Sequence, residues 1–479
     1  MFERFVVGAC WLVVLLVAQP LYADGAGDVS LKADQRAAVA SAAASFMARS
    51  GTAAVSIYVD RGGAASYAAG FGVADLEHDV AARADSVYAI GSITKPFTAH
   101  AILQLVAEGK VDLDAPIRQY LTDYQGPGGT ATVRQLLVHT SGIPNYVNEI
   151  PGIAPQLRRS EMQRAEMRKV FESRPLAFTP GTQWSYSNSG YYLLGLLVEA
   201  VTGRDYYDYL RESVLAPLGV TQVYSGDDRQ VIARHAIGYE KRPEGFIHAT
   251  PWYFLVPFSA GSLLSTAEEV AHYRRATFKS AAMNPKVREL MTSVAPFPDG
   301  SSNQYLLGAL IRSDFDGLTK YAHSGEIWGY SAAHAYYPQQ DVTVVILTNN
   351  KGQPTAVSLE RKVARIVLGL PVRPARDEKL TQKELSRYVG EYRFAPYRIG
   401  VDTVTFQARD GRLMFGYGTG GANLQPLLYQ GGGRFVVGND DESEFVFQEA
   451  RDGAHAKSVS MNSLNSSMPA QYESATGAR

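Results

Sequence analysis

A chain of 479 residues exceeds one ordinary domain and can bury a large core. Its 46 basic and 47 acidic residues leave a net charge of −1, which gives no electrostatic footing for nucleic acid or an anionic membrane surface. A single cysteine, and nine histidines without metal-ligand spacing, argue against a disulfide framework or a metal centre.

Met1-Phe2-Glu3-Arg4 and the apolar run over 5–18 read as a secretory signal peptide, with cleavage expected after Ala23. The run falls short of the about 20 residues that a membrane span needs; an uncleaved N-terminal anchor is the alternative. Cys10 lies inside this segment, so the mature chain carries no thiol, and a secreted or periplasmic location is expected. Residues 34–49 are alanine-rich and helical in character. Residues 53–60 and 64–72 alternate like strands about the turn Arg61-Gly62-Gly63.

Ser92 and Lys95 follow in Ala89-Ile90-Gly91-Ser92-Ile93-Thr94-Lys95-Pro96-Phe97. Three residues is nearly one helical turn, so the two side chains can meet on one face. A serine hydroxyl is a poor nucleophile until a base takes its proton. A lysine can do so where burial or nearby cations favour its neutral form. The spacing predicts a helix over 92–108 that stops at Gly109 and turns Phe97, Ile102, Leu105 and Val106 inward. Pro96 biases Lys95 away from helical angles, which a first turn tolerates.

Further on, His139-Thr140-Ser141-Gly142 reads as a capped turn with a structural histidine, and 160–173 as a charged amphipathic helix. The turn signal Pro180-Gly181 precedes Trp184-Ser185-Tyr186-Ser187-Asn188, and 239–258 is aromatic, proline-interrupted and loop-like. His323-Ser324-Gly325 leads through Glu326-Ile327-Trp328-Gly329-Tyr330 into a hairpin of 332–337 with 342–347, and a helix returns over 357–368. Pro371-Val372-Arg373-Pro374 marks a linker. Beyond it, short alternating runs at 401–407, 412–417, 434–437, 444–448 and 457–461 suggest a small β-barrel or sandwich. The Gly-x-Gly-x-x-Gly match at 416–421 has no following helix and reads as a turn rather than a dinucleotide site. Residues 464–479 are polar, lack periodicity and are expected to be disordered.

In this order, Ser92-Ile93-Thr94-Lys95, Tyr186-Ser187-Asn188 and His323-Ser324-Gly325 resemble the signature of the class C β-lactamase and D-alanyl-D-alanine carboxypeptidase family of penicillin-recognising serine enzymes. Leu136-Leu137-Val138-His139-Thr140-Ser141-Gly142 and Gly261-Ser262-Leu263-Leu264-Ser265-Thr266 are similar to further family signatures, so the resemblance covers about 37–370. Glu384-Leu385-Ser386-Arg387-Tyr388-Val389-Gly390-Glu391-Tyr392 resembles the start of a lipocalin-like domain appended to some members. The implied fold is α/β (α+β): an antiparallel sheet flanked by helices plus a helical region, followed by a small C-terminal β-barrel. The domains would be a signal peptide over 1–23, a hydrolase over 24–372, a barrel over 380–463 and a tail over 464–479.

The resemblance also implies roles. Ser92 is the acylated nucleophile, Lys95 its base, and Tyr186 a second acid/base that needs Lys95 and His323 as cationic neighbours. Asn188 holds the substrate amide and orients Lys95. The N–H groups of Ser92 and Glu326, beside Gly325, form an oxyanion hole. His323 is expected to face a substrate carboxylate where β-lactamases carry a lysine. A neutral imidazole loses that Coulomb attraction, which disfavours β-lactam hydrolysis. Trp328 and Tyr330 either line the cleft or pack beneath it.

The chain has no Gly-x-Ser-x-Gly elbow and no His-Glu-x-x-His. The expected function is an exported serine peptidase or amidase of the D-alanyl-D-alanine carboxypeptidase type, needing no metal or cofactor. Its partner would be a small peptide, amide or ester substrate, with no nucleic acid and no membrane contact after signal cleavage. The alternatives are an esterase, a β-lactamase and a non-catalytic penicillin-binding regulator.

Overall fold

The computed structural model describes residues 30–150, 163–227, 229–249, 256–301, 303–371, 376–394, 396–398, 402–438, 440–448, 455–463 and 466–474. The expected signal peptide over 1–23 and most of the expected linker at 371–374 lie outside them.

Alternation along Ala54–Arg61 (β1) sends Val55, Ile57 and Val59 to one face and Ala54 and Tyr58 to the other. Both faces are buried, so apolar residues stand on both sides of the strand. Ala64–Asp75 (β2) and Val80–Ala81 (β3) continue the sheet on one side of β1. On the other side lie Ile311–Phe315 (β4), Leu318–Ile327 (β5), Tyr330–Tyr337 (β6) and Val342–Thr348 (β7). The order is β4-β5-β6-β7-β1-β2-β3, antiparallel throughout. The expected hairpin is β6–β7, with Ala335 opposite Val344.

Helices cover both faces. Ala33–Ser50 (α1) and Ala356–Leu368 (α6) bury Val39, Phe46, Val357 and Val363 against Val55, Ile57, Val344 and Ile346. Each such fully buried Val or Ile stabilises the fold by about 1.5–3 kcal/mol relative to exposure. The opposite face carries the larger core. Thr94–Ala107 (α2), Asn188–Thr202 (α4) and Ala267–Lys279 (α5) belong to it, with the amphipathic Arg164–Glu172 (α3) at its outside. Buried on nearly every side, α2 is a central helix rather than a surface one. Tyr239–Arg242 and Gly245–His248 form a two-stranded hairpin, so the loop-like reading of 239–258 is corrected over that part; 250–255 lie outside the described residues.

Past α6, eight antiparallel strands close into a barrel: Gly390–Phe394 (β8), Thr403–Arg409 (β9), Arg412–Tyr417 (β10), Ala422–Gly431 (β11), Arg434–Val437 (β12), Asp440–Gln448 (β13), Ser458–Ser463 (β14) and Ser466–Ser474 (β15). Tyr392, Phe406, Phe415, Phe435, Phe445 and Phe447 fill its interior. The expectation of disorder from residue 464 is corrected: β15 pairs with β14 and β8 and closes the barrel. Among the described side chains of β15, Met468 and Ala470 enter the core and Tyr472 packs against it, while the ladder closes the barrel. The expected Gly-rich turn at 416–421 joins β10 to β11.

The barrel docks on α6 through charge. Lys362 Nζ lies 2.6 Å from Asp441 Oδ2, Arg365 Nε 3.1 Å from Glu442 Oε1, and Ser358 donates to Asp440. A second contact joins Tyr397–Arg398, between β8 and β9, in a parallel pair with Trp184–Ser185.

Candidate active site

Ser92 sits in a 3₁₀ turn, Gly91–Ile93, that feeds directly into α2. Lys95 occupies the first turn of α2, and Pro96 follows where helical N–H groups have no intrahelical acceptor, so the proline costs the helix little. Gly91 has φ +52°, and a Cβ there would lie 3.0 Å from the Glu326 nitrogen. A Cβ on Gly325 would lie 1.9 Å from the Ile90 oxygen. The two glycines let β5 press against the nucleophile turn and bring the N–H groups of Ser92 and Glu326 to one spot.

Lys95 is fully buried. Its Nζ lies 3.1 Å from Ser92 Oγ, 2.8 Å from Asn188 Oδ1 and 2.6 Å from the Ala260 carbonyl oxygen. Burial holds its pKa well below that of an ordinary lysine. A neutral amine has two N–H donors and one lone pair. The amide oxygen and the carbonyl can only accept, so they use both donors, and the lone pair is left for the Ser92 proton. Asn188 Nδ2 donates to Asn145 Oδ1 at 3.2 Å, which fixes the amide with its oxygen toward Lys95.

Tyr186 stands in an aromatic cage. Its ring lies 4.3 Å from His139, 6.3 Å from Trp184 and 6.4 Å from Tyr305, with Lys95 Nζ 4.7 Å from its centroid. The buried hydroxyl has no hydrogen-bond partner among the described residues. Burial pushes its pKa above that of an ordinary phenol, while the neighbouring Ser92 hydroxyl pulls the other way. The sequence expectation of a phenol acidified by two cations is therefore reversed: Tyr186 rests protonated. His139, read from sequence as part of a capped turn, supports it directly. Its Nδ1 accepts the Ser187 N–H at 3.1 Å, and its backbone carbonyl accepts the Ser185 N–H at 2.9 Å.

His323 does not meet the cleft. It is 3% exposed; Nε2 lies 2.9 Å from the Tyr305 hydroxyl and Nδ1 2.6 Å from the Ser324 carbonyl oxygen. Since the carbonyl can only accept, Nδ1 carries the proton and Nε2 accepts from Tyr305. Burial pushes its pKa down to about 3. The expected carboxylate partner has no place at this imidazole.

The cleft is lined instead by Ser92, Asn188, Glu326, Trp328 and Lys351, with Tyr146 and Val147 along one wall. Lys351 Nζ pairs with Glu326 Oε2 at 2.9 Å, and the lysine is half exposed. Tyr330 packs beneath, donating to the Ala236 carbonyl at 2.8 Å. The fold thus assembles Ser92, Lys95, Tyr186, Asn188, Gly325 and Glu326, and it adds Asn145, His139, Tyr305 and Lys351. No motif spacing marks these four, although His139 lies within a quoted family signature.

Comparison with known proteins places the chain in a family. The family model described as Beta-lactamase matches residues 39–368. Protein flp of Staphylococcus aureus (strain MRSA252) is 27% identical over 321 residues, 65% of this chain and 62% of that protein, so the chain matches less than two thirds of its length. The octameric penicillin-binding protein homologue from Pyrococcus abyssi shares the fold at TM-score 0.64 and 24% identity, over 91% of this chain and 100% of its own. A D-stereospecific amidohydrolase from Streptomyces sp. aligns at TM-score 0.58 and 25% identity, over 69% of this chain and 97% of its own.

Proposed function

This chain belongs to the beta-lactamase family, and we propose that it is an exported serine hydrolase, a peptidase or amidase of the D-alanyl-D-alanine carboxypeptidase type that acylates Ser92. The observation that carries the mechanism is the bonding of Lys95, whose lone pair is free for the Ser92 proton alone.

Ser92 Oγ attacks the substrate carbonyl as its proton passes to Lys95 Nζ. The oxyanion accepts from the Ser92 and Glu326 N–H groups. The ammonium created 4.7 Å from the Tyr186 ring makes the phenol more acidic at the moment the leaving amine needs a proton. Tyr186 donates, the C–N bond breaks, and Lys95 returns a proton to the phenolate. Water then attacks the acyl-enzyme, losing its proton to the same pair while Ser92 regains its own. An amine leaves poorly without a proton, so a protonated phenol suits amides. The likeness to a D-stereospecific amidohydrolase supports the same substrate class. The Glu326–Lys351 pair at the mouth offers a carboxylate for a substrate ammonium and an ammonium for a substrate carboxylate. The apolar run and Ala23 of the N-terminal segment support export to the periplasm.

The test is intact mass after exposure to a penicillin, beside release of D-alanine from a D-alanyl-D-alanine peptide. Wild type is expected to gain one adduct and to release D-alanine, and Ser92→Ala to do neither. An adduct or full turnover in Ser92→Ala overturns the nucleophile. Ester hydrolysis without amide hydrolysis replaces the peptidase reading with the esterase one.

A further inference from the structure

Among the described residues the Tyr186 hydroxyl has the Ser92 hydroxyl as its polar neighbour and no hydrogen bond of ordinary geometry, so the aim of this phenol depends on what packs on its ring and on how its backbone is held. On one side the backbone is held by His139, which accepts from Ser185 and Ser187. On the other side the support comes from the C-terminal barrel. Trp184 N–H donates to the Pro396 carbonyl at 3.2 Å, and Tyr397 lies opposite Trp184 in the parallel pair.

The rings repeat the arrangement. Trp184 packs at 5.8 Å against Tyr397, at 5.9 Å against His139 and at 6.3 Å against both Tyr186 and Tyr305. Tyr397 is itself fixed: it is buried, Phe297 meets it edge-on at 6.0 Å, and its hydroxyl accepts the Gln304 N–H. Gln304 precedes Tyr305, so one barrel side chain braces both segments that wall Tyr186.

We propose that Tyr397 is a positioning residue for catalysis: through Trp184 and the Gln304–Tyr305 segment, the barrel sets where the Tyr186 hydroxyl points, and so controls protonation of the leaving group. This rests on the reading of Tyr186 as the acid of the hydrolase. A displacement of about 1 Å in such a group costs on the order of 100-fold, whereas the Ser92–Lys95–Asn188 contacts join the Gly91–Ile93 turn, α2 and α4 and include no barrel residue.

The experiment uses the full-length chain and two acetate esters, p-nitrophenyl acetate, whose leaving group needs little protonation, and phenyl acetate, whose leaving group needs more. Acylation is read as the burst of released phenol. Tyr397→Ala and the bulkier Tyr397→Leu are expected to slow acylation by phenyl acetate about tenfold and by p-nitrophenyl acetate less than about twofold. Labelling of Ser92 by a fluorophosphonate should stay near the wild-type rate, and Tyr397→Phe should restore most of the phenyl acetate rate. Equal rates for wild type, Tyr397→Ala and Tyr397→Leu overturn the proposal. So does an equal loss on both esters and the fluorophosphonate, which marks general disruption. Tyr186→Phe separates the two levels: if it leaves the leaving-group dependence unchanged, or if wild type acylates with neither ester, the functional reading is what fails.

Discussion

At position 323 both imidazole nitrogens are satisfied inside the protein, by the Tyr305 hydroxyl and the Ser324 carbonyl. A lysine there would bring an ammonium into a buried site whose acceptors are a phenol and one carbonyl. An unpaired buried charge is disfavoured by several kcal/mol. His323→Lys is therefore expected to lower unfolding free energy by about 3 kcal/mol and to leave KM for carboxylate-bearing peptides no better than wild type. Urea titration and steady-state kinetics check both; a wild-type urea midpoint with a lowered KM would put this side chain in the cleft after all. The same residue marks the limit of motif reading. Ser92, Lys95, Tyr186 and Asn188 are legible because their spacing within each short segment fixes their relation. Which neighbour meets a side chain from another segment is a tertiary fact. Tyr305 has no marker in sequence, yet it decides what His323 can bind. Asn145 and Lys351 likewise reach the site from loops with no periodicity.

The α6–barrel contact is the element whose chemistry most exceeds what local sequence shows. Read alone, α6 is an amphipathic helix with a basic outer stripe, the usual sign of a solvated face. In the fold, Arg365 and Glu442 are each 7% exposed and pair at 3.1 Å, and Arg361 adds a second cation at 3.7 Å from the same carboxylate. Burial pushes the Glu442 pKa up, and Arg365 and then Arg361 pull it down. Removing the carboxylate charge leaves Arg365 buried with Asp316 as its remaining acid partner. Glu442→Gln is expected to destabilise by about 3 kcal/mol, with little relief or worsening on adding salt, because a buried pair is screened weakly. Urea unfolding at low and high salt tests this, and a loss that vanishes at high salt would place the pair at the surface. Strands that are short apolar runs bounded by turn signals, such as β7, β10 and β12, are legible before folding. The polar β15 and the hairpin at 239–248 are not. Their ladders are completed by partners, and a ladder leaves no periodicity of its own in the sequence.

Across the whole molecule, the buried imidazoles set the acid limit of stability. Burial pushes the pKa of His100 and of His323 down to about 3, and it holds His139 and His334 well below the ordinary imidazole range. Arg274 adds positive potential beside His100, His323 and His334. In the unfolded chain each titrates near about 6.5. Between those limits the unfolded chain binds more protons, so stability rises with pH, is complete above the unfolded value, and is lost as pH falls toward the folded one. Asp60 works in the opposite sense. Burial raises its pKa to about 6, so the folded state binds the extra proton and acidification relieves that cost. Glu199 and Glu442 are raised too, so four imidazoles stand against three carboxylates and the balance stays with the histidines, each contributing about 1.4 kcal/mol per pH unit within its window. The urea midpoint is expected to fall below about pH 6 with uptake of about two or more protons. His100→Gln keeps a polar group beside the Tyr273 hydroxyl, which lies 3.3 Å from His100 Nδ1, and removes one titrating site. It should lower that uptake by about one proton, and an unchanged slope would mean that His100 already carries its proton in the folded state.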